Sequence, residues 1–273
     1  MILQETIKII ESHYKERLET ITINKVMAGI RFTAIELSDK SIGMAFSPSN
    51  EIHNASARIN ESTDIFSPGK IAGQNISLLL KSNSKNILTH VLKIAAINAL
   101  SSKIIEEKKY IIKKNTDPFS LINIKESHTI CMVGAFCTYI DKILSQRKTL
   151  KVLELEKKAL PLEHQDLYVP VNDAKKVIPQ ADTLIITGAT LANNTLDELL
   201  ALTNKNQKII IVGPSCNIVP DPLFKRNVHI LGATRLYDAE RIFTIIAEGG
   251  SAYNLIHECA EKICILNPEF YEG

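Results

Sequence analysis

The chain has 273 residues, 45% hydrophobic and 23% charged, with a net charge of +2, five cysteines, seven histidines and no tryptophan. That length holds two domains or one large one with a sizeable core. The balanced charge, with no clustered basic face, argues against nucleic acid as the main partner.

From the first residue, Ile2, Leu3, Ile7, Ile10 and Leu18 recur among charges, so residues 2–19 read as an amphipathic helix and not as a signal peptide. Residues 24–37 and 41–46, parted by Ser38-Asp39-Lys40, read as a β-hairpin. Residues 47–70 carry prolines, asparagines and Gly69 without a period and read as a loop. Helices are predicted over 74–81 and 87–107, the second carrying Asn98 on a small, apolar face. A buried amide there needs a partner, either across a domain interface or on the local backbone. No run approaches the roughly 18 consecutive apolar residues of a membrane span, so a cytoplasmic protein is expected.

After a polar connection, 108–127, apolar strands alternate with amphipathic helices. Strands are predicted at 129–135, 151–155, 183–187, 208–212 and 229–231, with helices at 138–146, 173–180, 195–203, 238–247 and 253–262. Residues 263–265 read as a last, edge strand. The expected architecture is α/β: a Rossmann-like doubly wound parallel sheet (128–273) preceded by a smaller α+β domain (1–107).

The candidate chemistry lies at the carboxyl ends of these strands, where open α/β sheets bind ligands. Gly134, before Phe136, would allow a close approach of ligand or helix to the backbone, or simply a tight turn. The remaining glycines of a dinucleotide fingerprint are missing. Glu154, twenty positions on, stands where nucleotide-binding sheets place a ribose-gripping acid, or is a plain strand-end carboxylate. Thr187, Gly188 and Thr190 open a helix N-terminus suited to an anion. Thr195 and Glu198 form a capping-box pattern, which leaves Asn193 as the freer polar candidate. Gly213-Pro214-Ser215-Cys216 ends the fourth strand with a hydroxyl, a thiol and backbone donors, and Cys216 is the thiol placed to meet a soft metal. The other cysteines, Cys131, Cys137, Cys259 and Cys264, complete a set without any C-x-x-C pair, and the histidines offer no H-x-x-x-H spacing. Asp238 reads first as a helix N-cap, and Glu248-Gly249-Gly250 as the C-terminal end of that helix.

Together these stretches resemble the bacterial and archaeal family labelled putative heavy-metal chelation. The resemblance runs through Gly69-Lys70-Ile71-Ala72-Gly73, Ala95 to Leu100, Val133 to Phe136, Val152-Leu153-Glu154, Ile186 to Leu196, Gly213-Pro214-Ser215, Pro220, Leu223-Phe224, Gly232, Asp238 and Glu248-Gly249-Gly250. It implies an enolase-N-terminal-like domain followed by a Rossmann-like one. It also implies a cleft between them and a ligand that is a divalent heavy metal or a metal chelate. The family often has a proline two places after the GPS serine; this chain has Asn217.

The expected ligand-binding residues are therefore Asn98, Gly134, Phe136, Glu154, Thr187, Gly188, Thr190, Asn193, Gly213, Pro214, Ser215 and Asp238, with Cys216 and Glu154 as metal contacts. A homo-oligomer is compatible with this reading. Two alternatives stay open: an enzyme using a nucleotide or S-adenosylmethionine, and a scaffold without a cofactor. In the common strand order 3-2-1-4-5 the GPS loop would lie beside the Gly134 loop.

Overall fold

A computed structural model describes residues 1–48 and 65–271. Most of the loop expected at 47–70 lies outside the described residues. Helix α1 (Ile2–Tyr14) buries Ile2, Ile7 and Ile10 of the predicted stripe together with Tyr14, and ends in a 3-10 turn (Lys15–Thr20) that buries Leu18.

The expected hairpin is a three-stranded antiparallel meander of β1 (Ile23–Ala28), β2 (Phe32–Leu37) and β3 (Ile42–Phe46). The stretch 24–37 is two strands because the chain turns at residues 29–31, where Gly29 N donates to Phe32 O at 2.9 Å. Helices α2 (Ile76–Lys81) and α3 (Ile87–Glu107) follow, each begun by an asparagine, Asn75 and Asn86, whose side chain accepts from the backbone two residues on. Among the described residues, α3 is the one helix long and apolar enough to cross a membrane, but 72% of its apolar window is buried inside the protein.

The polar connection also contributes structure. Its residues Ile111–Lys114 form β4, the edge of an eight-stranded sheet. The sheet continues with β5 (Thr129–Val133), β6 (Thr149–Glu154), β7 (Tyr168–Pro170), β8 (Thr183–Thr187), β9 (Lys208–Val212), β10 (Ile230–Leu236) and β11 (Ala260–Leu266). The order is β4-β11-β10-β9-β8-β5-β6-β7, with β10 through β7 parallel and β11 antiparallel to both of its neighbours. The last strand is thus interior, because β4 covers the edge it was expected to form.

Side chains alternate between the faces with period two. Ile130, Met132, Val152, Ile185, Ile210 and Ile230 share one core with Tyr139, Ile140 and Ile143 of α4 (Cys137–Leu144). Cys131, Val133, Leu153, Ile186, Ile211 and Leu231 share another with α1, α3 and α5 (Leu196–Ala201). Both faces are covered, which accounts for strands that read as unbroken apolar runs.

For the five strands anticipated from the sequence the order is 2-1-3-4-5, the other common doubly wound arrangement. After β6 and β7 the chain recrosses β5 and lays down β8 beside it. The loop after β8 therefore stands between the Gly134 and GPS loops, which are not neighbours.

The two halves interlock. One face of the small sheet packs on α3. The other, with Phe32, Ala34 and Met44, is covered by Ile242, Phe243, Ile245 and Ile246 of α6 (Ala239–Ala247), an element of the second half. Asp238 caps α6 by accepting from Arg241 N at 3.0 Å. The helix closes in a Schellman motif, with Gly250 N donating to Ile245 O and Gly249 N to Ile246 O.

Candidate functional site

The carboxyl ends of β6, β5, β8 and β9 form a row of touching loops. At one end the Glu154 carboxylate ties two backbones: Oε1 accepts from Ala135 N at 3.1 Å and Oε2 from Leu155 N at 2.8 Å. Gly134 adopts φ +92°, and a Cβ there would stand 2.9 Å from Thr187 Cγ2, so no other residue fits between the β5 and β8 loops. At Gly188 the approach is also close, a Cβ position lying 3.0 Å from Cys216 Cβ. Thr187 and Thr190 are engaged with each other, Thr190 Oγ1 donating to Thr187 O at 2.6 Å.

The GPS loop is clasped to the first half. Ser215 Oγ accepts from Phe46 N at 2.7 Å, and Asn98 Nδ2 donates to Ser215 O at 2.9 Å and to Met44 O at 2.6 Å. The amide in the small, apolar helix thus finds its partners across the two halves, while Asn98 Oδ1 is buried without one. Ser101, one turn further along α3, is also buried with its hydroxyl unpartnered.

Three of the candidates are taken up locally. Cys216 is fully buried and its thiol donates to Gly213 O at 2.9 Å; burial pushes its pKa up, so it is a neutral hydrogen-bond donor and not a soft-metal thiolate. Asn193 is exposed, and its Oδ1 accepts from Thr195 Oγ1 at 2.7 Å and from Thr195 N, a local turn that also takes up the hydroxyl of the anticipated capping box. Asp238 is exposed and serves its helix cap. The half-exposed crest keeps Gly134, Phe136, Glu154, Thr187, Gly213 and Pro214, while Gly188, Thr190 and Ser215 are buried supports.

Sequence reasoning missed an aromatic stack beside the crest. Phe136 stacks on Tyr139 (5.5 Å between centroids) and Tyr139 on Phe119 (4.9 Å). Tyr139 OH donates to Asp117 Oδ1 at 2.6 Å; burial and then this acid raise the phenol's pKa well above its usual range. The signal was present in Asp117-Pro118, an N-cap followed by proline at the first helical position.

His90 of α3 reaches the loop after β8, with Nε2 3.3 Å from Leu191 O. Burial holds its pKa below 6.5; the Leu191 hydrogen bond opposes the shift and Lys93 adds to it. His229 is likewise lowered, by burial first. Between the folded pKa values and 6.5 the unfolded chain binds more protons, so this stability is complete above about pH 6.5 and lost as pH falls. The depressed carboxylates, with ordinary values of 3.8 and 4.5, lose their contribution only as pH falls through and below those values, beneath the range from pH 7 to 5.5. The urea midpoint should therefore fall from pH 7 to pH 5.5, and a His90→Gln/His229→Gln variant should lose most of that slope.

Two family models match, over residues 117–265 and 12–101, each described as putative heavy-metal chelation. Two solved structures are similar over 96% of this chain and 99% of theirs. One is a protein of unknown function from the DUF364 family of Pyrococcus horikoshii (TM-score 0.76, 19% identity), and the other a DUF364-family protein of unknown function from Desulfitobacterium hafniense (TM-score 0.70, 20% identity). At these identities the likeness is one of fold. No curated protein matches the chain.

Proposed function

The chain belongs to the family described as putative heavy-metal chelation, and from that premise we propose that it is a cytoplasmic binding protein for a heavy metal or metal chelate. The ligand site we assign is the cleft where the crest loops face β3 and α3. One observation carries this assignment: Asn98 Oδ1, buried and unpartnered where α3, β3 and the GPS loop meet. Leaving such an acceptor unsatisfied costs about 1–3 kcal/mol, and a bound molecule offering a donor would remove that cost. Glu154 and the half-exposed Gly134 loop lie along the same row of loops.

Thermal denaturation with zinc chloride, nickel chloride and inert cobalt complexes tests the reading. A ligand at 100 times its Kd should stabilise the native protein by about 2.7 kcal/mol. The shift should shrink in Glu154→Gln. If no member of the panel shifts the transition, the cleft is not the site; a shift that survives Glu154→Gln undiminished removes Glu154 from it.

A further inference from the structure

Among the described residues, three buried side-chain oxygens lack a hydrogen-bond partner in the protein: Asp39 Oδ2, Asn98 Oδ1 and Ser101 Oγ. Asp39 is compensated by the Lys103 ammonium, 2.9 Å from that oxygen. The other two belong to residues at 1% and 0% exposure, three positions apart on α3. Buried polar atoms are rarely left unpaired, so two within one helical turn point to a common partner. Neither is relieved by a simple rotation. Asn98 Nδ2 donates to the Met44 and Ser215 carbonyl oxygens, and turning the amide over would set Oδ1 against those two acceptors. Helical serines and threonines often donate to a carbonyl three or four residues back, as Ser102 does to Ala99 O at 2.7 Å and Thr6 to Ile2 O at 2.9 Å. Ser101 forgoes that bond.

Residues three apart on a helix have Cβ atoms about 5–6 Å from each other, and helical side chains tilt toward the N-terminus, so Ser101 leans toward Asn98. One water with two bonds of about 2.8 Å spans such a gap, and two polar partners suffice to hold it. We infer that Asn98 Oδ1 and Ser101 Oγ hold one buried water, which donates to Oδ1, and that through it Ser101 is a positioning residue for the GPS loop. The chain of contacts runs from Ser101 through the water to the Asn98 amide, and from there to the Ser215 and Met44 carbonyls. The inference concerns the free protein and goes beyond the cleft reading, whatever ligand the cleft takes. A ligand there would bond to this water or take its place.

A crystal structure of the ligand-free full chain, joined to hydrogen exchange, tests this. Density for one water is expected within about 3.2 Å of both Asn98 Oδ1 and Ser101 Oγ. The Phe46 amide, which donates to Ser215 Oγ, reports on the GPS loop. In Ser101→Ala its protection, normalised to global stability, should fall about tenfold, the effect of one lost hydrogen bond. Ser102→Ala removes a hydroxyl that bonds within its own helix and should leave that protection unchanged. Three results would each overturn the inference: no density between the two side chains, Ser101 Oγ found on the Ile97 carbonyl instead, or Phe46 protection in Ser101→Ala equal to that of the native chain. The thermal shifts with zinc, nickel and cobalt are read separately, so their absence would defeat the cleft reading and leave the water in place.

Discussion

Gly43→Ala should destabilise the protein by about 3 kcal/mol or more, at the top of the range for overpacking. Strand β3 crosses α3 at Gly43 without a side chain between them. A Cβ there would overlap the Ala95 carbonyl oxygen and the Ala99 amide nitrogen outright, and would stand 3.0 Å from Ala99 Cα. These obstacles are backbone, so no rotamer change relieves them and Ala95→Gly should not rescue the variant. The strand must lift from the helix instead. That movement would strain the bonds just beyond it, Met44 O to Asn98 and Phe46 N to Ser215. The loss should therefore reach the crest, lowering both the urea midpoint and the protection of the Phe46 amide from hydrogen exchange. A near-normal midpoint would mean that the small sheet is not held against α3 as described.

The elements that sequence made legible were those with a sustained apolar pattern. Helix α3 was placed at its observed bounds because small and apolar residues recur through it, after a capping asparagine. Strands β8 and β9 were placed likewise because four or five β-formers stop at glycine. What stayed hidden depends on partners distant in sequence. Strand β4 has only two apolar residues, and it is a strand because β11 pairs with it across 149 or more positions, as in Ile265 with Ile112. The order of β5 and β8 is likewise a property of crossovers, which no local pattern records. At the site, the glycines and Glu154 were readable from their position at strand ends. The role of Cys216 was not, because whether a thiol donates or ligates is decided by burial and by the carbonyl of Gly213. Asn98 was legible as a problem, a polar group on an apolar face, but its solution lies 117 residues away at Ser215.

That solution makes Asn98→Ala the second large effect, expected at about 2–4 kcal/mol. The substitution strips the Met44 and Ser215 carbonyls of a buried donor, and each unpaired group costs about 1–3 kcal/mol. The total is reduced because the same change removes Oδ1, an acceptor that the native fold leaves unpaired. Asn98→Asp should be worse at neutral pH: it keeps the shape but sets a carboxylate against the two carbonyl oxygens that the amide now serves, in a place almost without solvent. Ser215→Ala removes a different bond, from Phe46 N, yet it loosens the same loop. The two substitutions should therefore be non-additive in a double-mutant cycle, with a coupling of at least about 0.5 kcal/mol. Additive losses would show the two bonds to be independent, and an Asn98→Ala cost below about 1 kcal/mol would remove the amide as the clasp. Strong coupling would mean that the GPS loop is held in place by the small sheet and α3 as much as by its own strand. A ligand that donates to Asn98 would then tighten the seam between the halves, because the group it satisfies is the one that holds them together.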